Sequence, residues 1–271
     1  MQKIYTVVLA DDNEIFRTGI AGVLNRTSQQ PHSPHIEVVA EATRGEMALD
    51  FALRLRPNVL LLDISMPDEY GNEGMDGIQV VEALRTQNVH IPVLIMSNHT
   101  KPTYIRRLLG LGIGGYALKD DLYQAHILIK AIINVARGEK GWMTPRIGQE
   151  LTKNIMVDAD MVDRLNEVLT ATERKVLIAV GKGFDDEEIA QLLSEQKWQT
   201  KMEKIRVSSL TAKIADERID QATSQQRYHI TTETIKTHRN NYRSKLQLKD
   251  RSEEILLAFK SGLVHPEDIE L

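Results

Sequence analysis

The sequence predicts a doubly wound α/β domain with five parallel strands, followed by a small all-α domain. Three observations carry this expectation. Over the first 138 residues, short β-rich apolar runs alternate with amphipathic segments of helical period, five times in succession. Two of those runs, Val59-Leu60-Leu61-Leu62 and Val93-Leu94-Ile95-Met96, are apolar without alternation, as central parallel strands covered on both faces have to be. Beyond Gly183 neither glycine nor proline recurs until Gly262, which leaves helix as the regular structure of that stretch.

At 271 residues and 42% hydrophobic content, the chain is long enough for two separate cores. It has no cysteine, which removes disulfide and thiolate chemistry and fits a reducing, cytoplasmic setting. Its longest apolar runs fall far short of the ~20 residues that span a bilayer, and no signal-peptide pattern opens it, so no membrane partner is expected. The net charge of −4 excludes indiscriminate nucleic-acid binding; contact with DNA has to come from a local basic surface.

Strands are expected at Ile4–Ala10, Ile36–Ala40, Val59–Asp63, Pro92–Met96 and Gly115–Leu118. Right-handed crossovers put the ligand site of such a sheet beyond the C-terminal ends of its strands. Asp11-Asp12 ends the first run, Asp63 the third, Ser97 the fourth and Lys119 the fifth, so four separate segments deliver polar side chains to one edge. A lone strand-end aspartate more often caps a turn, but capping does not account for five convergent residues. Clustered carboxylates keep their charge most easily around a cation, so Asp11, Asp12 and Asp63 suit an oxygen-liganded Mg²⁺. A cation there screens Asp63 as a nucleophile toward a phosphoryl group, whose equatorial oxygens Lys119 and the Ser97 hydroxyl would share.

From Gly138 to about Val168 the pattern weakens, which reads as the end of one domain and a linker containing a short helix. Thr170 then caps a helix with Glu173 three residues on, a capping-box signature. A second helix is expected from about Asp185 to Leu193, opening on four acidic residues. A third runs from Thr231 or Thr232 to Leu246, with Ile235, Tyr242 and Leu246 inward and Lys236, Arg239, Asn240 and Arg243 outward. Between Thr231 and Arg251 there are six Lys/Arg against two Asp/Glu, the local basic stripe that the overall charge requires. Basic and amide side chains on one helix suit the major groove.

The segments "VVLADDNEIFRTGI", "VLLLDISMPD", "VLIMSN" and "GGYALKD" resemble the motifs of receiver domains in the NarL/FixJ response-regulator family, over nearly all of residues 1–138. "LTATERKVLIAVGKGFDDEEIAQLL" and "TTETIKTHRNNYRSKLQLKDRSEEILLAFKSGLV" resemble the two halves of the same family's LuxR-type four-helix output domain. The resemblance implies a flavodoxin-like receiver at 1–138, a linker at 139–166 and a helix-turn-helix domain at 167–271. It implies that Asp63 is the phosphoacceptor, that Asp11 and Asp12 bind the metal, and that the Ser65 carbonyl is a further ligand. Ser97 and Tyr116 match a switch pair whose hydroxyl moves toward the phosphoryl group while the ring rotates inward; Lys119 contacts the phosphoryl oxygens. In the output domain, Lys236, Thr237 and Asn240 would face base edges, and His238, Arg239, Arg243 and Lys245 would make phosphate or supporting contacts. The last helix, about Ser252–Ser261, matches the dimerisation helix. The implied function is not enzymatic: a sensor histidine kinase supplies a phosphoryl group, and the switch controls binding of a homodimer to double-stranded DNA.

The chain departs from that pattern in two places. Glu69-Tyr70-Gly71-Asn72-Glu73-Gly74-Met75 lengthens the loop beside Asp63 and reads as a tolerated surface insertion. Nearby, Asn98 replaces a small residue, and His99 reads as a solvated loop histidine at the pocket mouth. The larger departure separates the second and third output helices by roughly 35 residues, about Ser194 to His229, where relatives have a tight turn. Trp198, Met202 and Ile205 at i, i+4, i+7, then Leu210 and Ile214, predict a helical hairpin there that engages a protein partner. This keeps a second function open, a receiver-containing interaction regulator whose split helix-turn-helix does not read DNA.

Overall fold

In a computed structural model of the chain, residues 3–30, 33–67, 74–152, 159–208 and 229–265 are described. The chain divides into two compact units, one built mainly of Met1–Ile155 and the other mainly of Met156–Lys249.

The first unit is a parallel sheet of six strands in the order β2-β1-β3-β4-β5-β6. They are β1 (Ile4–Ala10), β2 (His35–Ala42), β3 (Val59–Asp63), β4 (Val93–Ser97), β5 (Gly115–Leu118) and β6 (Trp142–Met143). Helices α1 (Glu14–Ser28), α2 (Gly45–Leu55), α3 (Gly77–Thr86), α4 (Pro102–Gly110) and α5 (Ala125–Ala136) alternate with the first five strands; α6 (Pro145–Thr152) follows the sixth. The five-strand expectation is corrected here, because Trp142 and Met143 leave the expected linker and join the sheet. Gly138 and Gly141, at φ of +89° and +72°, reverse the chain after α5, and the Trp142 N–H donates to the Gly114 carbonyl at 2.9 Å. A strand of two residues is too short to show a period in sequence.

Every residue of β3 and β4 is buried, as the unbroken apolar runs required. Val7, Leu9, Val59, Leu61, Leu94, Met96 and Ala117 form one core with Phe16, Ile20 and Leu24 of α1 and Leu128, Ile132 and Val135 of α5. Register then fixes the functional edge. Ala10 is opposite Leu62, Asp63 opposite Met96, and Ser97 opposite Leu118. Asp11, Asp63, Ser97 and Lys119 therefore stand side by side where the strands end.

The second unit is helical: α7 (Ala159–Val168), α8 (Ala171–Gly181), α9 (Asp186–Ser208), α10 (Thr232–Leu246) and part of α11 (Arg251–Lys260). Thr170 caps α8 and Glu173 returns the bond, the expected capping box. α9 differs from expectation. It does not stop near Leu193 but continues for 23 residues to Ser208, so the first part of the inserted segment prolongs an existing helix. Leu210 and Ile214, the second arm of the expected hairpin, lie outside the described residues. The insertion nevertheless leaves and returns at one point, because the Ile230 N–H donates to Ser194 Oγ at 2.9 Å. Ile235 and Tyr242 of α10 are buried, as are Val176, Leu177 and Val180 of α8 and Ile189 and Leu193 of α9. Gly181 permits α11 to come close: a Cβ there would lie 2.7 Å from Ala258 Cβ.

Glu173 also accepts from Lys245 Nζ at 2.7 and 2.9 Å, which ties α8 to α10. Burial by itself would raise this carboxyl, but Lys245 and Thr170 outweigh it and hold Glu173 below its ordinary 4.5. A depressed carboxylate stabilises the fold above its unfolded value and loses that contribution as pH falls through the folded one. Lys245→Ala is therefore expected to shift acid unfolding of the helical unit to higher pH, read by far-ultraviolet circular dichroism; coincident acid curves would count against the pair. No helix among the described residues is long and apolar enough to cross a membrane.

Candidate functional site

The C-terminal edge of the sheet gathers three carboxylates and one ammonium. Asp11 and Asp63 are buried, Asp12 is exposed, and one oxygen of each lies within 4.8 Å of the others. Lys119 Nζ donates to Asp63 Oδ2 at 2.7 Å and stands 2.9 Å from Asp11 Oδ2. The second contact is one of charge without hydrogen-bond alignment, so this buried Asp11 oxygen has no hydrogen-bond partner. Asp11 Oδ1 accepts the Asn13 N–H at 2.9 Å, and Asp63 Oδ1 accepts the Ile64 N–H at 2.7 Å. A single ammonium for three carboxylates, and a buried oxygen short of a donor, are the conditions under which hard oxygen ligands take a divalent cation.

The protonation balance follows. Burial holds the Asp63 carboxyl above its ordinary value; Lys119 offsets only part of this and Asp11 adds to it. Burial pushes Lys119 downward, but its contacts with the Asp63 and Asp11 carboxylates outweigh that and leave the ammonium raised. Its Nζ also lies 5.0 Å from the Phe16 ring centroid, an aromatic wall for the charge.

Two supports escaped the sequence reading. Arg17 donates to the Asp11 carbonyl at 2.9 Å while pairing with Glu41 at 3.0 Å, which pins the loop after β1. Gly77, at the start of α3, brings its N–H to the Ile64 carbonyl at 2.8 Å. A Cβ on Gly77 would stand 2.2 Å from the Asp63 carbonyl oxygen. The Asp76-Gly77 pair is the only sequence signal of this contact. Gly77→Ala is expected to cost about 1–3 kcal/mol through overpacking against the Asp63 backbone, measured as a lower unfolding midpoint. An unchanged midpoint would remove the argument. Met75, at the end of the lengthened loop, gives its N–H to Glu46 at 3.1 Å; residues 68–73 lie outside the described residues.

Ser97 and Tyr116 are both fully buried. The Ser97 hydroxyl accepts the His99 N–H at 3.0 Å, and the Tyr116 hydroxyl donates to the His99 carbonyl at 2.7 Å. Burial pushes the Tyr116 phenol up to about 12. The ring is already inward in this structure. His99 is exposed, as expected of a loop histidine, but its backbone links both members of the pair, and its Nε2 lies 3.2 Å from Ser65 Oγ. Asn98 is also exposed.

On α10, Lys236, Thr237 and Asn240 are exposed, and His238 and Arg243 are half-buried. Lys245 is exposed and paired with Glu173. Arg239 corrects the outward assignment: it is buried, and its Nη1 donates to Asp186 Oδ1 at 2.6 Å. Helical spacing alone left it on the polar side because its partner is acidic and belongs to α9. Leu246, expected inward, is half-buried.

A parallel sheet whose C-terminal edge sets an aspartate triad against a lysine, with a hydroxyl and an aromatic on neighbouring strands, defines a receiver domain. Residues 7–131 match the family model described as the response regulator receiver domain. Response regulator protein VraR of Staphylococcus aureus is 27% identical over 258 residues, which are 95% of this chain and 98% of VraR. The receiver domain of the putative response regulator NarL from Mycobacterium tuberculosis is 32% identical with a TM-score of 0.44, covering 51% of this chain and all of that one. RcsB of Salmonella typhimurium is 21% identical with a TM-score of 0.46, covering 94% of this chain and 98% of that one. Residues 7–131 are thus a response regulator receiver domain, and over nearly its whole length the chain is similar to response regulators.

Proposed function

We propose that Asp63 accepts a phosphoryl group from a sensor histidine kinase and that the resulting change controls binding of α10 to double-stranded DNA, and with it transcription. The observation that carries the first half is the 2.7 Å contact of Lys119 with Asp63 inside an acidic cluster. An Asp63 oxygen attacks phosphorus as the P–N bond of the kinase phosphohistidine breaks, which leaves an acyl phosphate. Lys119 transfers its charge from the carboxylate to the phosphoryl oxygens, and the Ser97 hydroxyl, whose oxygen accepts the His99 N–H, donates its own O–H to one of them. Asp11, Asp12, Asp63 and the Ser65 carbonyl would hold a Mg²⁺, which when bound would supply the remaining positive charge there. Receiver function is tested by exposing wild-type protein to acetyl phosphate with Mg²⁺; one label per chain is expected, and none in chains treated with chelator.

The second half is supported by the Ser194–Ile230 contact, which holds the start of α10 beside α9 on either side of the inserted segment. Lys236, Thr237 and Asn240 then meet base edges while His238 and Arg243 flank them toward phosphate; Arg239 and Lys245 hold the helix in place. Lys236→Ala with Asn240→Ala is expected to weaken binding to a genomic target by about a hundredfold or more, at one or a few kcal/mol per base contact, without loss of helix content. The active form is a cytoplasmic homodimer reading two half-sites.

The unbroken run of α9 to Ser208 favours one other reading, a regulator that engages a protein partner through the inserted segment and does not read DNA. Selection of genomic fragments by the phosphorylated protein separates the two. Salt-dependent enrichment of a common sequence supports DNA control, and no enrichment supports the protein partner.

A further inference from the structure

Lys119 is restrained from two directions. Its ammonium faces Asp63 and Asp11, and two residues further along the chain Asp121 accepts from Arg146 Nη1 of α6 at 3.1 Å. The same nitrogen lies 3.8 Å from Asp120. A second tether joins β5 to the same helix. The Thr144 N–H, immediately before α6, donates to the Tyr116 carbonyl at 3.3 Å, and Tyr116 is in register with Met143. α6 itself is seated, with Ile147 and Leu151 buried. Both β5-side groups nearest the phosphoryl chemistry, Tyr116 and Lys119, are thus one or two residues from a direct link to α6.

We propose that Arg146 is a positioning residue for Lys119, and that through the Arg146–Asp121 pair α6 reads whether the pocket carries a phosphoryl group. The proposal rests on Asp63 as the acceptor. Forming the acyl phosphate replaces the carboxylate that Lys119 now grips with oxygens further out, so the ammonium has to shift. The Leu122 N–H donates to the Lys119 carbonyl at 3.1 Å, which closes residues 119–122 into one turn and passes the shift to Asp121. Asp121 is itself held in place: its side chain is 13% exposed, and its Oδ1 accepts from Arg146. Arg146 is 43% exposed, and an exposed cation in a pair contributes little to folding. The pair therefore sets position more than stability.

Full-length protein is treated with beryllium fluoride and Mg²⁺ as the phosphoryl mimic, and amide hydrogen exchange is followed in peptides covering residues 59–66 and 145–152. In the wild type, exchange is expected to slow at the first peptide and to change at the second by about threefold or more, the scale of a local opening equilibrium shifted by under 1 kcal/mol. Arg146→Ala and Asp121→Ala should keep the first response and lose the second, and Arg146→Lys should recover part of it. A pocket response without an α6 response, or an α6 response that survives both alanine variants, overturns the relay alone. No pocket response in the wild type overturns Asp63 as acceptor and the relay with it.

Discussion

Asp63→Asn is expected to abolish phosphoryl uptake completely and, in metal-free protein at neutral pH, to raise the melting temperature. Uptake ends because the amide oxygen is no nucleophile. The stability gain follows from the direction of the Asp63 shift, which burial raises above the ordinary 3.8. A raised carboxyl means that the fold favours the neutral form, so stability is fullest below the unfolded value and declines as pH rises through the folded one. At neutral pH, well above the unfolded value, the wild type carries that penalty. The neutral amide of the variant would not, and Asp11 remains 2.9 Å from Lys119 to satisfy the ammonium. Melting curves in chelator from acid to neutral pH should converge at the acid end and separate toward neutrality. A variant that melts lower than wild type at pH 7 would show that Lys119 depends on Asp63 more than burial penalises it.

The second large effect is expected from Arg239→Ala. Arg239 and Asp186 side chains are 7% and 19% exposed at 2.6 Å, and removing the cation leaves a nearly buried carboxylate without its partner. Breaking such a pair costs up to about 3–5 kcal/mol, a large share of the roughly 5–15 kcal/mol that holds a small domain folded. DNA binding should therefore disappear together with helical signal and a depressed calorimetric transition. This separates it from the exposed Lys236 and Asn240, whose loss should weaken binding in a folded protein. Arg239→Met combined with Asp186→Leu should restore folding, since an apolar pair of similar volume no longer buries a lone charge. A wild-type unfolding midpoint for Arg239→Ala would return Arg239 to the DNA-facing set.

The pocket was legible because its residues are attached to strand ends. Runs of apolar residues locate β1, β3, β4 and β5, and a parallel sheet brings their C-terminal ends to one edge whatever the details of packing. Asp11, Asp63, Ser97 and Lys119 followed directly. The same reasoning was weaker on α10, where a period of 3.6 residues sorts polar from apolar but cannot say which polar side chain has a buried partner. Arg239 was misplaced for that reason, while Ile235 and Tyr242 were placed correctly. His99 shows a related limit: its ring is exposed as expected, yet its backbone N–H and carbonyl serve Ser97 and Tyr116, and backbone groups leave no mark on residue type.

By itself the sequence determined the order of the first five strands and the helices between them, the polar residues at the ends of those strands and the basic stripe of α10, because each is written in local runs or at a helical spacing. The tertiary structure alone decided that Trp142 and Met143 form a sixth strand, that Gly77 has to be bare against Asp63, that Arg239 turns to Asp186, and that Ser194 meets Ile230 across the inserted segment. Each of these is a contact between positions far apart in the chain, with no period to announce it. It forms only once burial has made an unpaired charge, an unmet N–H or a misplaced Cβ too costly to leave elsewhere.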